Sequence, residues 1–129
     1  MPAALVVDDN KQIRDILAMT LSAAGFTVAR ARDGVGAVER AHCVWPDLVV
    51  LDFSVSEKGD AWEIWDALAA VDAGRPLRVI LYSAEITEVE KARAYARGAA
   101  AVVDKTVIGG WPIAMAIRDA LAGAAPPDG

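Results

Sequence analysis

Residues 5–10 read "LVVDDN": three apolar residues run straight into two adjacent carboxylates, Asp8 and Asp9, and then Asn10. The pattern returns as "LVVLDFS" at residues 48–54, where Asp52 closes another apolar run. A strand suited to a dry interior gains nothing by ending in like charges, because crowded carboxylates resist joint ionisation. The pattern implies that these strand ends converge on one site.

Working outward, short apolar runs alternate with helical patterns. Strands are expected at Ala4–Val7, Thr27–Ala31, Leu48–Leu51, Val79–Tyr82 and Ala101–Val103. The third and fourth are near-continuous Val, Ile and Leu, as parallel strands covered on both faces require. From Lys11 to Ala24, Ile13, Ile16, Leu17 and Leu21 follow helical spacing, and Gly25 supplies a stop. Asp33 is placed to cap a second helix that ends before Trp45-Pro46, and Asp60 a third, "AWEIWDALAAVDAG", closed by Gly74. Thr87 and Glu90 form a T-x-x-E capping box for a fourth helix, which stops at Gly98. A fifth is expected from Trp111-Pro112 to about Leu121.

Five β-α units predict an α/β domain with a doubly wound parallel sheet and helices on both faces. In such sheets the ligand crevice lies beyond the C-terminal strand ends. Asp8 and Asp9 end the first strand, Asp52 ends the third, Ser83 follows the fourth and Lys105 the fifth, so all five fall on one edge.

The bulk composition is consistent with a single globular domain. The 129 residues are 55% hydrophobic and carry a net charge of −5, with 18 acids and 13 bases. That balance argues against disorder and against nucleic-acid binding through phosphate contacts. A single cysteine, Cys43, excludes an internal disulfide. No run approaches the roughly 18 unbroken apolar residues of a membrane span. The start "MPAALVVDDN" lacks a charged signal-peptide n-region, so a cytoplasmic location is expected. Residues 1–122 are expected to form the domain, and residues 123–129 a disordered tail.

The constellation suits phosphoryl transfer. A hard cation such as Mg²⁺ relieves the repulsion between carboxylates and keeps water positions open for phosphate oxygens. An aspartate beside it is a competent nucleophile toward phosphorus. A lysine ammonium and a serine hydroxyl can then hold the transferred group.

These residues resemble the receiver domain of two-component response regulators, of the stand-alone chemotaxis type. The resemblance rests on "VVDDN", "LVVLDFS", "VILYSA" and "GAAAVVDKT", in that order, and spans about Ala4 to Leu121. It implies a flavodoxin-like strand order 2-1-3-4-5. Asp52 would be the phosphoacceptor, with Ser83 and Lys105 holding the phosphoryl group. Asp9 would bind Mg²⁺ directly and Asp8 through water, and the Ser54 backbone carbonyl would complete the ligands with Asp52. The implied phosphodonor is a histidine kinase or histidine phosphotransfer protein. Output would pass to a downstream protein through the face of the fourth helix, fifth strand and fifth helix, or by phosphorelay. Beyond self-directed phosphoryl transfer and autodephosphorylation, no enzyme activity is implied. Because the chain closes soon after the expected fifth helix, no output domain is expected to follow, with a piece of a longer regulator as the alternative.

The chain also departs from the family pattern. "DFSVSEKGDAWE" lacks the usual Met-Pro after the aspartate and is about one residue longer, and Thr106 stands where proline is usual. Val102 replaces an aromatic, leaving Tyr82, Tyr95 and Trp111 as candidates for a switching side chain. These departures raise an alternative, a phosphorylation-independent interaction module. An Asp-nucleophile phosphatase would need a second acid where Ser54 stands, and no G-x-x-x-x-G-K-[ST] loop is present.

Other residues read more plainly. His42 is expected on a helix surface, Cys43 as a small buried apolar residue, and Trp62 and Trp65 as core or half-buried packing, with a partner-binding face as the alternative. "KARAYAR" reads as a solvated face, with a partner-binding role as the alternative.

Overall fold

The computed structural model describes residues 2–53, 61–71, 77–83 and 86–104. Five strands form one parallel sheet in the order β2-β1-β3-β4-β5. They are β1 (Ala3–Val7), β2 (Thr27–Ala31), β3 (Leu48–Asp52), β4 (Val79–Ser83) and β5 (Ala101–Asp104). The helices are α1 (Lys11–Ala23), α2 (Gly34–Cys43), α3 (Ala61–Ala69) and α4 (Glu88–Ala96).

Alternation along the strands divides the core in two. Leu5, Val7, Val49, Leu51, Val79 and Leu81 pack with Ala37 and Ala41 of α2 and with Ile64, Trp65 and Leu68 of α3. Ala4, Val6, Leu48, Val50, Ile80 and Tyr82 pack on the opposite face with Leu17 and Leu21 of α1 and with Phe26. Both faces of the central strands are dry, which explains their unbroken apolar sequences.

Helix ends follow the expected chemistry. The Asn10 side chain accepts from the Ile13 N–H at 3.1 Å, and Asp33 from the Gly36 N–H at 2.9 Å. Thr87 and Glu90 form the complete capping box. Gly25 has φ 98°, and beyond it the N–H of buried Phe26 returns to the Leu21 carbonyl at 3.1 Å. A side chain there would be strained in the left-handed region. Gly34 serves a different purpose, since a Cβ at that position would lie 3.0 Å from Ile64 Cγ1, where α2 meets α3.

Four strand boundaries extend by one residue beyond the sequence expectation. β1 begins at Ala3, and β3, β4 and β5 take in Asp52, Ser83 and Asp104. Those three residues keep ladder partners, so each acid or hydroxyl closes its strand from within. Cys43 overturns its reading: it is exposed at the last turn of α2. The inward positions of that helix are Ala37 and Ala41, and Cys43 falls off their stripe. Asp60, Gly74, Thr106, the loop after Phe53, the fifth helix and the tail lie outside the described residues.

Leu68 is fully buried and Met19 is 70% exposed. Leu68→Ala is expected to lower unfolding free energy by about 2–5 kcal/mol in urea melts. Met19→Ala is expected to stay within about 0.5 kcal/mol of wild type.

Candidate functional site

The sheet register assembles the site. Val7 of β1 pairs with Leu51 of β3, and Asp52 pairs with Tyr82 of β4. One step past Val7, Asp8 therefore comes level with Asp52, and Tyr82 follows on the next strand. By strand alternation all three continue the face of Val6, Val50 and Ile80, the one covered by α1.

Asp8 and Asp52 are buried at 0% and 1% exposure, whereas Asp9 is exposed. One carboxylate oxygen from each of Asp8, Asp9 and Asp52 lies within 4.8 Å of the others. Two oxygens on one Mg²⁺ at 2.0–2.1 Å sit about 3 Å apart when adjacent and about 4 Å when opposite. An all-oxygen set of three acids at this spacing fits a hard divalent cation after a small contraction.

Asp8 is held at every polar atom. Its Oδ1 accepts from the Asn10 N–H at 2.8 Å, and its Oδ2 accepts from the Tyr82 hydroxyl. Its backbone N–H donates to the Ala31 carbonyl at 3.1 Å, and its carbonyl accepts from Arg14 Nη1 at 2.7 Å. Burial first, and then the Asp8 carboxylate, push the Tyr82 phenol well above its ordinary range, so it remains a proton donor.

Ser83, at 1% exposure, closes β4 directly after Tyr82 and pairs in register with Asp104. The residue after Asp104 is Lys105, which, like Ser54, lies outside the described residues. The structure thus gathers Asp8, Asp9 and Asp52 and places Ser83 on the same sheet edge.

Sequence reasoning named Tyr82 only as a switching candidate and missed its bond to Asp8. Nothing within "VILYS" itself marks that bond, since the alignment of position 82 with Asp52 comes from the pairing of β3 with β4. Arg14 was also missed; it lies six residues beyond Asp8, in the first turns of α1.

An aromatic group adjoins the site through Phe53. Its ring meets Trp62 edge-on at 5.4 Å, and Trp62 stacks with Trp65 at 6.1 Å. From α4 and its C-cap, the Arg93 guanidinium lies 4.3 Å from the Trp62 ring and that of Arg97 4.9 Å from the Trp65 ring. Arg97 also pairs with Asp66. Trp62 and Trp65 therefore pack as expected, and two arginines of "KARAYAR" cover them.

Comparison with known proteins agrees with this architecture. The family model described as "Response regulator receiver domain" matches residues 4–109. The response regulator MprA of Mycobacterium ulcerans is 34% identical over 84 residues, covering 65% of this chain and 36% of its own. The chain spans about a third of the length of the first curated relatives it matches. Among solved structures, the signal receiver domain of the response regulator NarL from Mycobacterium tuberculosis aligns with TM-score 0.74 at 28% identity, covering 95% of this chain and 98% of that one. A CheX–CheY–BeF3–Mg²⁺ complex from Borrelia burgdorferi aligns with TM-score 0.80 at 24% identity, covering 93% and 89%.

Asp9→Ala removes the exposed member of the acidic cluster and leaves the two buried acids in place. Its Mg²⁺ affinity is expected to fall at least tenfold. Tryptophan fluorescence can follow the titration, because Trp62 touches the residue after Asp52.

Proposed function

The chain belongs to the response regulator receiver domain family, and from that membership we propose that Asp52 accepts a phosphoryl group from a histidine kinase or histidine phosphotransfer protein. A carboxylate oxygen of Asp52 attacks phosphorus, a P–O bond forms, and the P–N bond to the donor imidazole breaks. The departing imidazole takes up a proton. Asp8, Asp9, Asp52 and the Ser54 carbonyl would hold Mg²⁺. When bound, that ion supplies charge neutralisation for the acids and the incoming phosphoryl oxygens.

The protein's own groups do the remaining work. Asp8 and Asp52 are held in a dry setting in which their charges interact strongly. The Ser83 hydroxyl donates to a phosphoryl oxygen, and the Lys105 ammonium pairs with the transferred charge. The bound group then biases two packings of the face formed by α4 and β5, which docks a downstream protein.

The observation that carries this reading is the cluster of three acids within 4.8 Å at the ends of β1 and β3. It also weighs against a phosphorylation-independent interaction module, which has no need of such a costly grouping. The Borrelia burgdorferi complex, in which a CheY is found with CheX, BeF3 and Mg²⁺, supports both the metal and a protein partner. Among the described residues no helix is long and apolar enough to cross a membrane.

Asp52→Asn is nearly isosteric and should fold as wild type. Incubated with a small-molecule phosphodonor and Mg²⁺, wild type should gain one phosphoryl group by intact mass, and the variant none. Uptake by Asp52→Asn at the wild-type level would overturn the assignment.

A further inference from the structure

We propose that Tyr82 is a positioning residue for the metal: its hydroxyl, donating to Asp8 Oδ2, fixes the orientation in which the Asp8 carboxylate meets a divalent cation. This rests on the reading of the acidic cluster as a metal site.

Asp8 is one of the two buried acids of that cluster, and its carboxylate is gripped from two sides. The Asn10 N–H, at the start of α1, takes Oδ1 at 2.8 Å, and the Tyr82 phenol takes Oδ2. A carboxylate offers about four acceptor positions, and bonds to both of its oxygens fix its plane. Asp9, being exposed, has no comparable enclosure.

Tyr82 is itself rigidly held. It is 3% exposed, packed among the α1-side core residues, and in ladder register with Asp52. Its carbonyl accepts the Phe53 N–H at 2.8 Å. A single residue of β4 thus ties the strand carrying Asp52 to the acid following β1, across the whole width of β3. Ser83 is the next residue in the chain, so a shift at the end of β4 would reach Asp8 through the phenol. Hydrogen-bond partners of metal ligands commonly contribute 10–100-fold to metal affinity by orienting those ligands.

The test is Mg²⁺ affinity by calorimetry, without any phosphodonor, at a temperature well below the melt. Tyr82→Phe keeps the ring in the core and removes only the hydroxyl; its dissociation constant is expected to rise about tenfold. Tyr95→Phe serves as the control, because its hydroxyl accepts the Val102 N–H at 3.1 Å and should leave the affinity unchanged. A hydroxyl with a purely structural role would lower the melting temperature and leave the dissociation constant alone. An unchanged Mg²⁺ affinity in Tyr82→Phe overturns the positioning role while the metal site stands. Failure of wild type to bind Mg²⁺ overturns both. Should Tyr82→Phe not fold, wild type labelled with ¹³C at tyrosine Cζ keeps the question decidable. The chain has two tyrosines, so Tyr95→Phe assigns the Tyr82 signal. That resonance should move with Mg²⁺ along the binding isotherm, and a signal indifferent to the ion overturns the proposal.

Discussion

Three carboxylates brought within 4.8 Å of one another, two of them out of water, are the constraint on which the remaining structure depends. Left alone, such a group opposes folding, because each buried charge loses hydration and repels its neighbours. The sheet nevertheless imposes it. Parallel pairing of Val7 with Leu51 brings the acids that follow β1 and close β3 side by side, and the apolar strands behind them offer no alternative register. Stability drawn from a two-faced core is therefore opposed at one edge by a cluster suited to a cation and a phosphoryl group.

The strand period of two connects the core with the site. Residues of one parity in β1, β3 and β4 bury themselves against α2 and α3, and those of the other parity against α1. Continuing the second series to the strand ends yields Asp8, Asp52 and Tyr82 in neighbouring positions. The packing of α1 and the geometry of the acids thus follow from one register. Asn10 acts at both levels, capping α1 with its side chain and holding Asp8 with its backbone N–H.

Much of this was legible in the sequence because the signals are local. Unbroken Val, Leu and Ile runs mark central parallel strands, and Asp33 and Thr87 cap the helices they were read to cap, whereas the Asn10 cap of α1 went unread. The acids were conspicuous because each terminates an apolar run. Cys43 was misjudged since residue type was weighed ahead of its position off the α2 stripe. The Tyr82–Asp8 bond was hidden for a different reason. It joins residues 74 apart, on strands separated by a third, and appears only when strand order and register are both known. Likewise, the arginine cover over Trp62 and Trp65 depends on how α4 lies against α3, which no spacing within either helix encodes.

The central claim, that the acids at the ends of β1 and β3 share one ion beside a phosphoacceptor, is tested most directly by a crystal structure grown with Mg²⁺ and beryllofluoride. The account predicts beryllofluoride on the Asp52 carboxylate and one Mg²⁺ held by Asp52 and Asp9, with Asp8 alongside. An ion bound elsewhere, or beryllofluoride absent from Asp52 at saturating concentration, would contradict it.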